Sequence, residues 1–387
     1  KNGADDFLVK YGLEAFLEVL GIARESHEKK KYIWNEEPTK SHHVAVLASI
    51  VFKNFYVLRP DIGLYKWVRT RWERIKRKPK ETLMNPLHKW LNGMCWEKRE
   101  NHHLGSVISQ VLATIEHTEW DSNYLMSFKN GTLDINKKEF YRGFHDRKHY
   151  LTHSFDYKYD EQAKCPIWIK FLNETFNGDQ ELIELLRASI KWTIFPKDID
   201  RPFPMELLFD LHGKKGSGKG TTLEVLQALC GGKEACGTLR TNLLKSRNVL
   251  FYLISKKLAY DMDASGHISD AGILNNIITN EPVPVEKKYF DIDDARLGVV
   301  YWRAFNNNPT ASGEAVEGLA RRTVTYKFPH SAANPDPQLK NKLLAEIEGI
   351  FWWCWSMDDN KMFDVLKNRG NVASVAEATI ENLLENQ

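Results

Sequence analysis

Residues 205–230, MELLFDLHGKKGSGKGTTLEVLQALC, join an apolar run, a glycine-dense loop holding a lysine, and a helical stretch, in that order. The order builds a cradle for phosphate. Glycines at Gly213, Gly216, Gly218 and Gly220 let the backbone turn its N–H groups toward an anion, and the following helix adds its positive N-terminal end. Lys219 brings a full charge to the β- and γ-phosphates, with the Ser217, Thr221 and Thr222 hydroxyls beside it. Leu223, Leu226 and Leu229 recur at helical spacing, and Gly231-Gly232 offers a stop. The strict spacing GxxxxGK[ST] is missed by one position, because Gly220 follows the lysine and Thr221 becomes the first hydroxyl able to face a metal. A flexible glycine loop before an ordinary helix is the plainer alternative. The flanking strand and helix patterns favour a nucleotide site.

Composition sets the frame. The chain has 387 residues, 42% hydrophobic and 27% charged, which describes a globular protein long enough for two or three domains. A net charge of +3 is compatible with nucleic acid without demanding it. Five cysteines (Cys95, Cys165, Cys230, Cys236, Cys354) lack CxxC spacing, so a disulfide framework or zinc finger is not expected and a reducing cytoplasm fits. Signal peptide and spanning segment are both absent from the pattern; IEGIFWWCW is too short to cross a bilayer. The start at Lys1 rather than methionine suggests a piece of a longer protein.

Along the chain, residues 5–30 read as a helix with a broad apolar face, and 44–57 as a compact apolar stretch of helix or buried strand. Then basic residues from Lys66 to Lys80 interleave with Tyr65, Trp67 and Trp72, a mixture that can grip a single strand or simply form a solvated charged face. His102 and His103 with Cys95 lack metal-ligand spacing and read as surface residues. Asn130-Gly131 inside LMSFKNGTLDINKKEF signals a hairpin. The helical segments IWIKFLNETF and ELIELLRASIKWTIF follow, with a boundary at Pro196–Pro204. The expected division is a mainly helical region at 1–124, a segment at 125–195 preceding the core, a nucleotide-binding core at 196–330, and a helical C-terminal segment at 331–387.

A phosphate loop alone names no reaction; further charges must come from neighbouring strands. KKLAYDMD (256–263) reads as a strand with Asp261 and Asp263 on one face, where carboxylates can hold Mg²⁺ and orient or deprotonate an attacking water. The same pair could feed an ordinary turn, or serve as a DxD metal pair for nucleotidyl transfer, which would leave the phosphate loop unexplained. LGVVYWRAF ends in Asn306-Asn307-Asn308-Pro309; a polar residue leaving a central strand can position water, and Asn-Pro clusters also simply end strands. ILNNIITNEPVPVEKKYFDIDDARLG suggests a hairpin whose basic end, Lys287, Lys288 and Tyr289, could touch phosphates in a channel or remain solvated. EGLARRTVTYKF places Arg321 and Arg322 before a strand, where an arginine can reach a γ-phosphate or make a local salt bridge.

Together these segments resemble the superfamily-three helicases, specifically the phage and plasmid primase-helicases related to the poxvirus primase-helicase, over roughly residues 125–355. SFKNGTLDI and AKCPIWIKFL look like the collar segment, GSGKGTT like Walker A, YDMD like Walker B, NEPVPVEKKY like the B-prime hairpin, AFNNNP like motif C, and LARRTVTYKF like the arginine-finger strand. The resemblance implies an α/β fold: a P-loop, AAA+-type core on a mostly parallel sheet, flanked by helical N- and C-terminal segments. It implies ATP and Mg²⁺ at Lys219 and Thr221, a Walker B role for Asp261 and Asp263, and a polar sensor at Asn306. DNA contacts would fall at Lys287 and Lys288, and Arg321 or Arg322 would act on the next subunit. Members form hexameric rings that move along single-stranded DNA, typically 3′ to 5′, and many carry an upstream primase-polymerase domain, which this chain is expected to lack. The bacterial host cytoplasm is the implied setting. Two features depart from the pattern: the acidic pair is split as DxD, and Arg303 interrupts a strand expected to be buried.

The leading expectation is an ATP-driven DNA helicase or translocase. A small-molecule nucleotide kinase shares the GSGKGT loop but needs an arginine-rich lid that does not follow in order, and the one NKxE-like string, Asn136–Glu139, lies upstream of the loop, the wrong order for a GTPase. A DNA-binding or loading module gated by nucleotide, without unwinding, is the non-enzyme alternative.

Overall fold

In the computed structural model, residues 41–59, 62–93, 101–118, 124–195, 206–264, 268, 270–286, 292–307, 315–331 and 334–377 are described. The helix expected at 5–30 lies outside them, as do Cys95 and the end of the last expected helix. The chain divides into two compact units, one of residues 1–122 with 145–152, the other of residues 123–144 with 153–387.

In the first unit, the apolar stretch at 44–57 resolves into helix α1 (Ser41–Phe52) and strand β1 (Tyr56–Arg59). Strands β2 (Gly63–Val68) and β3 (Arg71–Arg74) complete a three-stranded antiparallel sheet, followed by helices α2 (Pro79–Gly93) and α3 (Asn101–Thr114). The region read as mainly helical thus also carries a sheet. Its basic stretch has little aromatic surface to offer, because Tyr65 and Trp72 are buried and the Trp72 indole donates to the Arg147 carbonyl at 2.8 Å. Trp67 packs edge-on against Trp72 at 5.5 Å.

The second unit opens with β4 (Leu125–Phe128), β5 (Gly131–Asp134) and β6 (Glu139–Arg142), an antiparallel meander turning at Asn130-Gly131 as expected. Helices α4 (Pro166–Thr175) and α5 (Gln180–Ile194) follow. Asp179 caps α5 by accepting from the Leu182 N–H at 3.0 Å. Next come β7 (Leu208–Gly213), α6 (Lys219–Leu229), β8 (Cys236–Thr238), α7 (Arg247–Leu253), β9 (Leu258–Asp261) and α8 (Ala271–Thr279). A hairpin of β10 (Val283–Glu286) and β11 (Ile292–Ala295) precedes β12 (Val300–Phe305), α9 (Ala315–Arg322) and β13 (Thr323–Phe328). Helices α10 (Leu339–Ala345), α11 (Ile347–Trp355) and α12 (Asp359–Lys367) close the unit.

Five of these strands form one sheet in the order β13-β7-β12-β9-β8, every neighbouring pair parallel. This is the α/β core with a mostly parallel sheet that the resemblance implies. Parallel strands covered on both faces read as continuous apolar runs, and the side chains then divide between the faces with period two. Phe209, Leu211, Trp302, Ala304, Val324 and Tyr326 join one apolar cluster with α4, α5, α6, α11 and α12. Leu208, Ala259 and Tyr301 join the other, with α7, α8 and β10. On the first face Phe209, Trp302 and Tyr326 stack, with centroids 4.5 and 6.2 Å apart, each pair contributing about 0.5–1.5 kcal/mol beyond burial. Their polar ends stay partnered: the Trp302 indole donates to Thr193 Oγ1 at 2.9 Å, and the Tyr326 hydroxyl meets Ser189 Oγ at 2.7 Å. Lys191 Nζ ties α5 to the C-terminal helices by donating to the Trp355 carbonyl at 3.1 Å and Asp359 Oδ1 at 2.5 Å.

Arg303 does not disturb the register. It specifies it. Opposite it on β7 stands Asp210, and the two form a two-pronged ion pair, Nε to Oδ1 at 2.8 Å and a terminal nitrogen to Oδ2 at 2.6 Å. Arg303 is 4% exposed and Asp210 2%. Removing one partner of such a pair strands the other charge in the interior, which costs about 3–5 kcal/mol, whereas replacing both by apolar groups is often close to neutral. Accordingly, Arg303→Met alone should lower the urea unfolding free energy by about 3–5 kcal/mol, and adding Asp210→Leu should recover most of that loss. A double variant as unstable as the single one would contradict the assignment.

Candidate functional site

Strand β7 delivers the chain to the glycine-rich loop, and the loop's path is set by close packing. A Cβ on Gly213 would lie 2.3 Å from the Phe328 carbonyl oxygen of β13, so only glycine lets the two strands end side by side. Gly218 has a φ of +100° and faces the Phe171 ring at 3.0 Å from where a Cβ would sit. Gly216, also left-handed at +78°, and Gly220, in the first turn of α6, have open space beside them. Ser331 Oγ donates to the Lys215 carbonyl at 2.8 Å, tying the segment after β13 to the loop. Lys214 and Lys215 are exposed on the loop and Ser217 is buried within it.

Lys219 is the meeting point. Its Nζ donates to the carbonyls of Gly213 and Lys214 at 2.6 and 2.8 Å, to Ser217 Oγ at 3.4 Å, and to Asn306 Oδ1 at 3.1 Å. Asn306 arrives there because β12 lies next to β7 and ends in step with it, Phe305 opposite His212. The His212 ring nitrogen meets the Asn306 backbone carbonyl at 3.2 Å, a contact that steadies the same turn. Burial holds the Lys219 ammonium below the usual lysine range, partly offset by the negative charge of Asp263. Thr222 turns inward and donates to the Gly218 carbonyl at 3.0 Å, while Thr221 remains half-buried beside the loop.

The two aspartates part company. Strand β9 ends at Asp261, so the alternation expected to align both carboxylates does not extend to Asp263. Asp261 is buried and accepts from the Thr241 N–H at 3.0 Å, the Thr241 hydroxyl at 3.1 Å and the Asp263 N–H at 3.3 Å. Asp263 is exposed and acts electrostatically on Lys219. Among the described residues no cluster of three or more His, Cys, Asp or Glu could hold a metal. A Mg²⁺ held by one or two carboxylates together with phosphate oxygens asks for no such cluster.

Arg321 and Arg322 sit at the far end of the sheet. Thr323 pairs with Leu208, the first residue of β7, whereas the loop follows Gly213, so five residues of strand separate them, about 17 Å at the rise of a parallel strand. Arg322 is held by Glu206, Nε to Oε2 at 2.7 Å, and donates to the Gly318 carbonyl at 3.2 Å. Arg321 is exposed, and its backbone carbonyl accepts from Arg369 at 2.8 Å. Lys287, Lys288 and Tyr289 lie outside the described residues, as does the run from Asn308 to Glu314; the β10–β11 hairpin that carries the lysines is formed as expected.

Four contributors were not singled out from sequence: Asp210, His212, Thr241 and Ser331. Asp210 alone had a visible signal, an acid inside an apolar strand with Arg303 as its counterpart inside another. Asp261→Asn should lower the unfolding free energy by about 1–3 kcal/mol, because a buried acceptor of three N–H and O–H groups is altered. Asp263→Asn, at an exposed position, should stay within about 0.5 kcal/mol of the parent. Urea melts of the two variants check the order, and a reversal would overturn the division of roles.

Comparison with known proteins bears on the same segments. Residues 47–177 match the family model described as D5 N terminal like, and residues 211–322 match a family of unknown function, DUF5906. Among solved structures, the A form apo structure of the NrS-1 C-terminal region is similar at a TM-score of 0.56 and 13% identity, covering 87% of this chain and 74% of that one. A second apo structure of the NrS-1 C-terminal region, residues 305–718, gives a TM-score of 0.54 at 12% identity, with 86% and 76% covered. At such identities the likeness is one of fold. No helix among the described residues is long and apolar enough to cross a membrane. Residues 47–177 thus resemble the D5 N terminal like segment, and the chain shares its fold with the NrS-1 C-terminal region.

Proposed function

We propose that the chain is an ATP-hydrolysing motor that moves on or unwinds DNA during replication, with ATP and Mg²⁺ bound at the loop formed by Gly213–Thr222 and each site completed by a neighbouring subunit. The observation that carries this is Lys219. Its ammonium is held between the loop carbonyls and Asn306, within the field of Asp263, so three segments far apart in sequence present one cation, one amide and one carboxylate together. Bound MgATP supplies the bond that is broken and the charge to be stabilised. Lys219 and the loop N–H groups hold the phosphates. Thr221 and Asp263 would hold the cation, which would supply charge neutralisation to the phosphates, and Asn306 would orient the attacking water. Asp261 acts behind them by fixing the turn through Thr241.

The separation of Arg321 from its own loop supports a shared site. An exposed arginine at the opposite end of the sheet serves a neighbour's triphosphate better than its own, and it is better suited than Arg322, which Glu206 holds. The assembly we propose is a hexameric ring, as in the superfamily-three helicases that the motifs resemble.

Lys219→Ala should abolish ATP binding and hydrolysis, and Arg321→Ala should lower turnover about 10³–10⁵-fold while keeping nucleotide affinity. Mixing the two inactive proteins should restore part of the turnover, since one contributes an intact loop and the other an intact arginine. ATPase assays with and without single-stranded DNA check this, with a forked substrate for unwinding. Parental activity in Lys219→Ala removes the site, and mixtures that stay inactive remove the sharing.

A further inference from the structure

Between Glu234 and Asp261 the chain contains no acidic residue, yet it carries Arg240, Lys245, Arg247, Lys256 and Lys257. Two of these are engaged locally. Lys256 donates to the Lys233 and Glu234 carbonyls, and Lys257 lies over the Phe155 ring at 5.2 Å. Arg240, Lys245 and Arg247 are exposed, and among the described residues no carboxylate pairs with them. Beside them, Tyr252 is 66% exposed and Leu243 40%, the former the most exposed large apolar side chain among the described residues. Asn248 stands four residues before Tyr252, so the two share a face of α7, and Asn248 is exposed as well.

The base of this surface is fixed to the sheet. The Leu239 N–H donates to the Tyr260 carbonyl at 2.9 Å, the Leu239 carbonyl accepts from the Tyr301 hydroxyl at 2.7 Å, and Thr241 grips Asp261. Strand β8 is parallel to β7, so residues 240–245 leave the sheet at the same end as the phosphate loop. On the other side, Leu250, Phe251 and Leu253 of α7 pack with Val283 and Val285 of β10, whose hairpin acids Asp293 and Asp294 lie on the partner strand β11.

Exposed cations interleaved with an outward aromatic, on a rigid base and without acids of their own, are suited to a polyanion that also offers flat apolar rings. We propose that Arg240, Lys245 and Arg247 contact the phosphates of single-stranded DNA and that Tyr252 stacks on a base. The choice of DNA as the polymer rests on the motor function proposed above; the surface itself does not. An ordinary solvated charged face would account for the cations but leaves an aromatic 66% exposed among them unexplained.

Fluorescence anisotropy with a labelled oligothymidine, measured across a salt series, tests this on the full chain. The triple variant Arg240→Ala, Lys245→Ala, Arg247→Ala should bind more weakly, and its dependence of log K on log salt should be shallower by about 2, three phosphate contacts at about 0.7 each. Tyr252→Ala should weaken binding by roughly 5–150-fold with the slope unchanged. A control triple of exposed lysines on the meander and the segment after it, Lys129→Ala, Lys138→Ala and Lys158→Ala, should leave the slope near the parent's, and circular dichroism melts report whether each variant folds. Equal slopes in the parent and first triple, an equal loss in the control, or a parent that binds no oligothymidine would each overturn the proposal. Nucleotide affinity of the parent, measured in parallel, keeps the two questions apart: DNA binding by this surface in a protein that binds no ATP removes the motor and leaves the surface.

Discussion

Arg303 and Asp210 meet inside a largely apolar sheet, and the geometry of the candidate site depends on that meeting. A strand such as Val300–Phe305, buried at every position, can slide past an equally apolar neighbour at modest cost, because one hydrophobic contact replaces another. An ion pair cannot slide. Moving β12 by one residue would turn Arg303 to the opposite face and leave Asp210 alone in the interior. The pair therefore decides that Phe305 stands opposite His212, which is why Asn306 leaves the sheet level with Gly213 and reaches Lys219. The same rung continues to Asp261 on β9, opposite Arg303, so three strand ends are aligned by one row of side chains.

That alignment separates two aspartates that look interchangeable as DxD. Asp261 still belongs to the strand, faces the buried side, and is saturated by donors from Thr241 and the turn. Asp263 has left the strand and lies in the exposed turn that acts on Lys219. Two residues of spacing move a carboxylate from the buried scaffold to the exposed turn. The buried aspartate also anchors the basic segment that begins at Arg240, so the C-terminal end of β9 and the position of that segment share one set of hydrogen bonds.

Several elements of the site were legible because their chemistry is local. The loop between β7 and α6 joins glycines, a lysine and a helix within about a dozen consecutive residues. Asn130-Gly131 forces a turn by its own backbone preferences. The basic and aromatic stretch around Trp72 read less well, since a tryptophan that stacks on a base and one that fills a core have the same spacing, and only the packing around Arg147 shows that this one is buried.

Taken alone, the sequence determined which short segments turn, which run apolar as strands, and where the glycine loop lies between strand and helix, because propensity, period and glycine freedom act between near neighbours. The strand order β13-β7-β12-β9-β8 was decided by the tertiary structure, and with it every partnership that crosses it. Asp210 and Arg303 lie 93 positions apart in the chain. Their pairing, the Thr241 grip on Asp261, and the distance of Arg321 from its own loop all follow from which strands lie side by side, a property of the packed whole that no local spacing encodes.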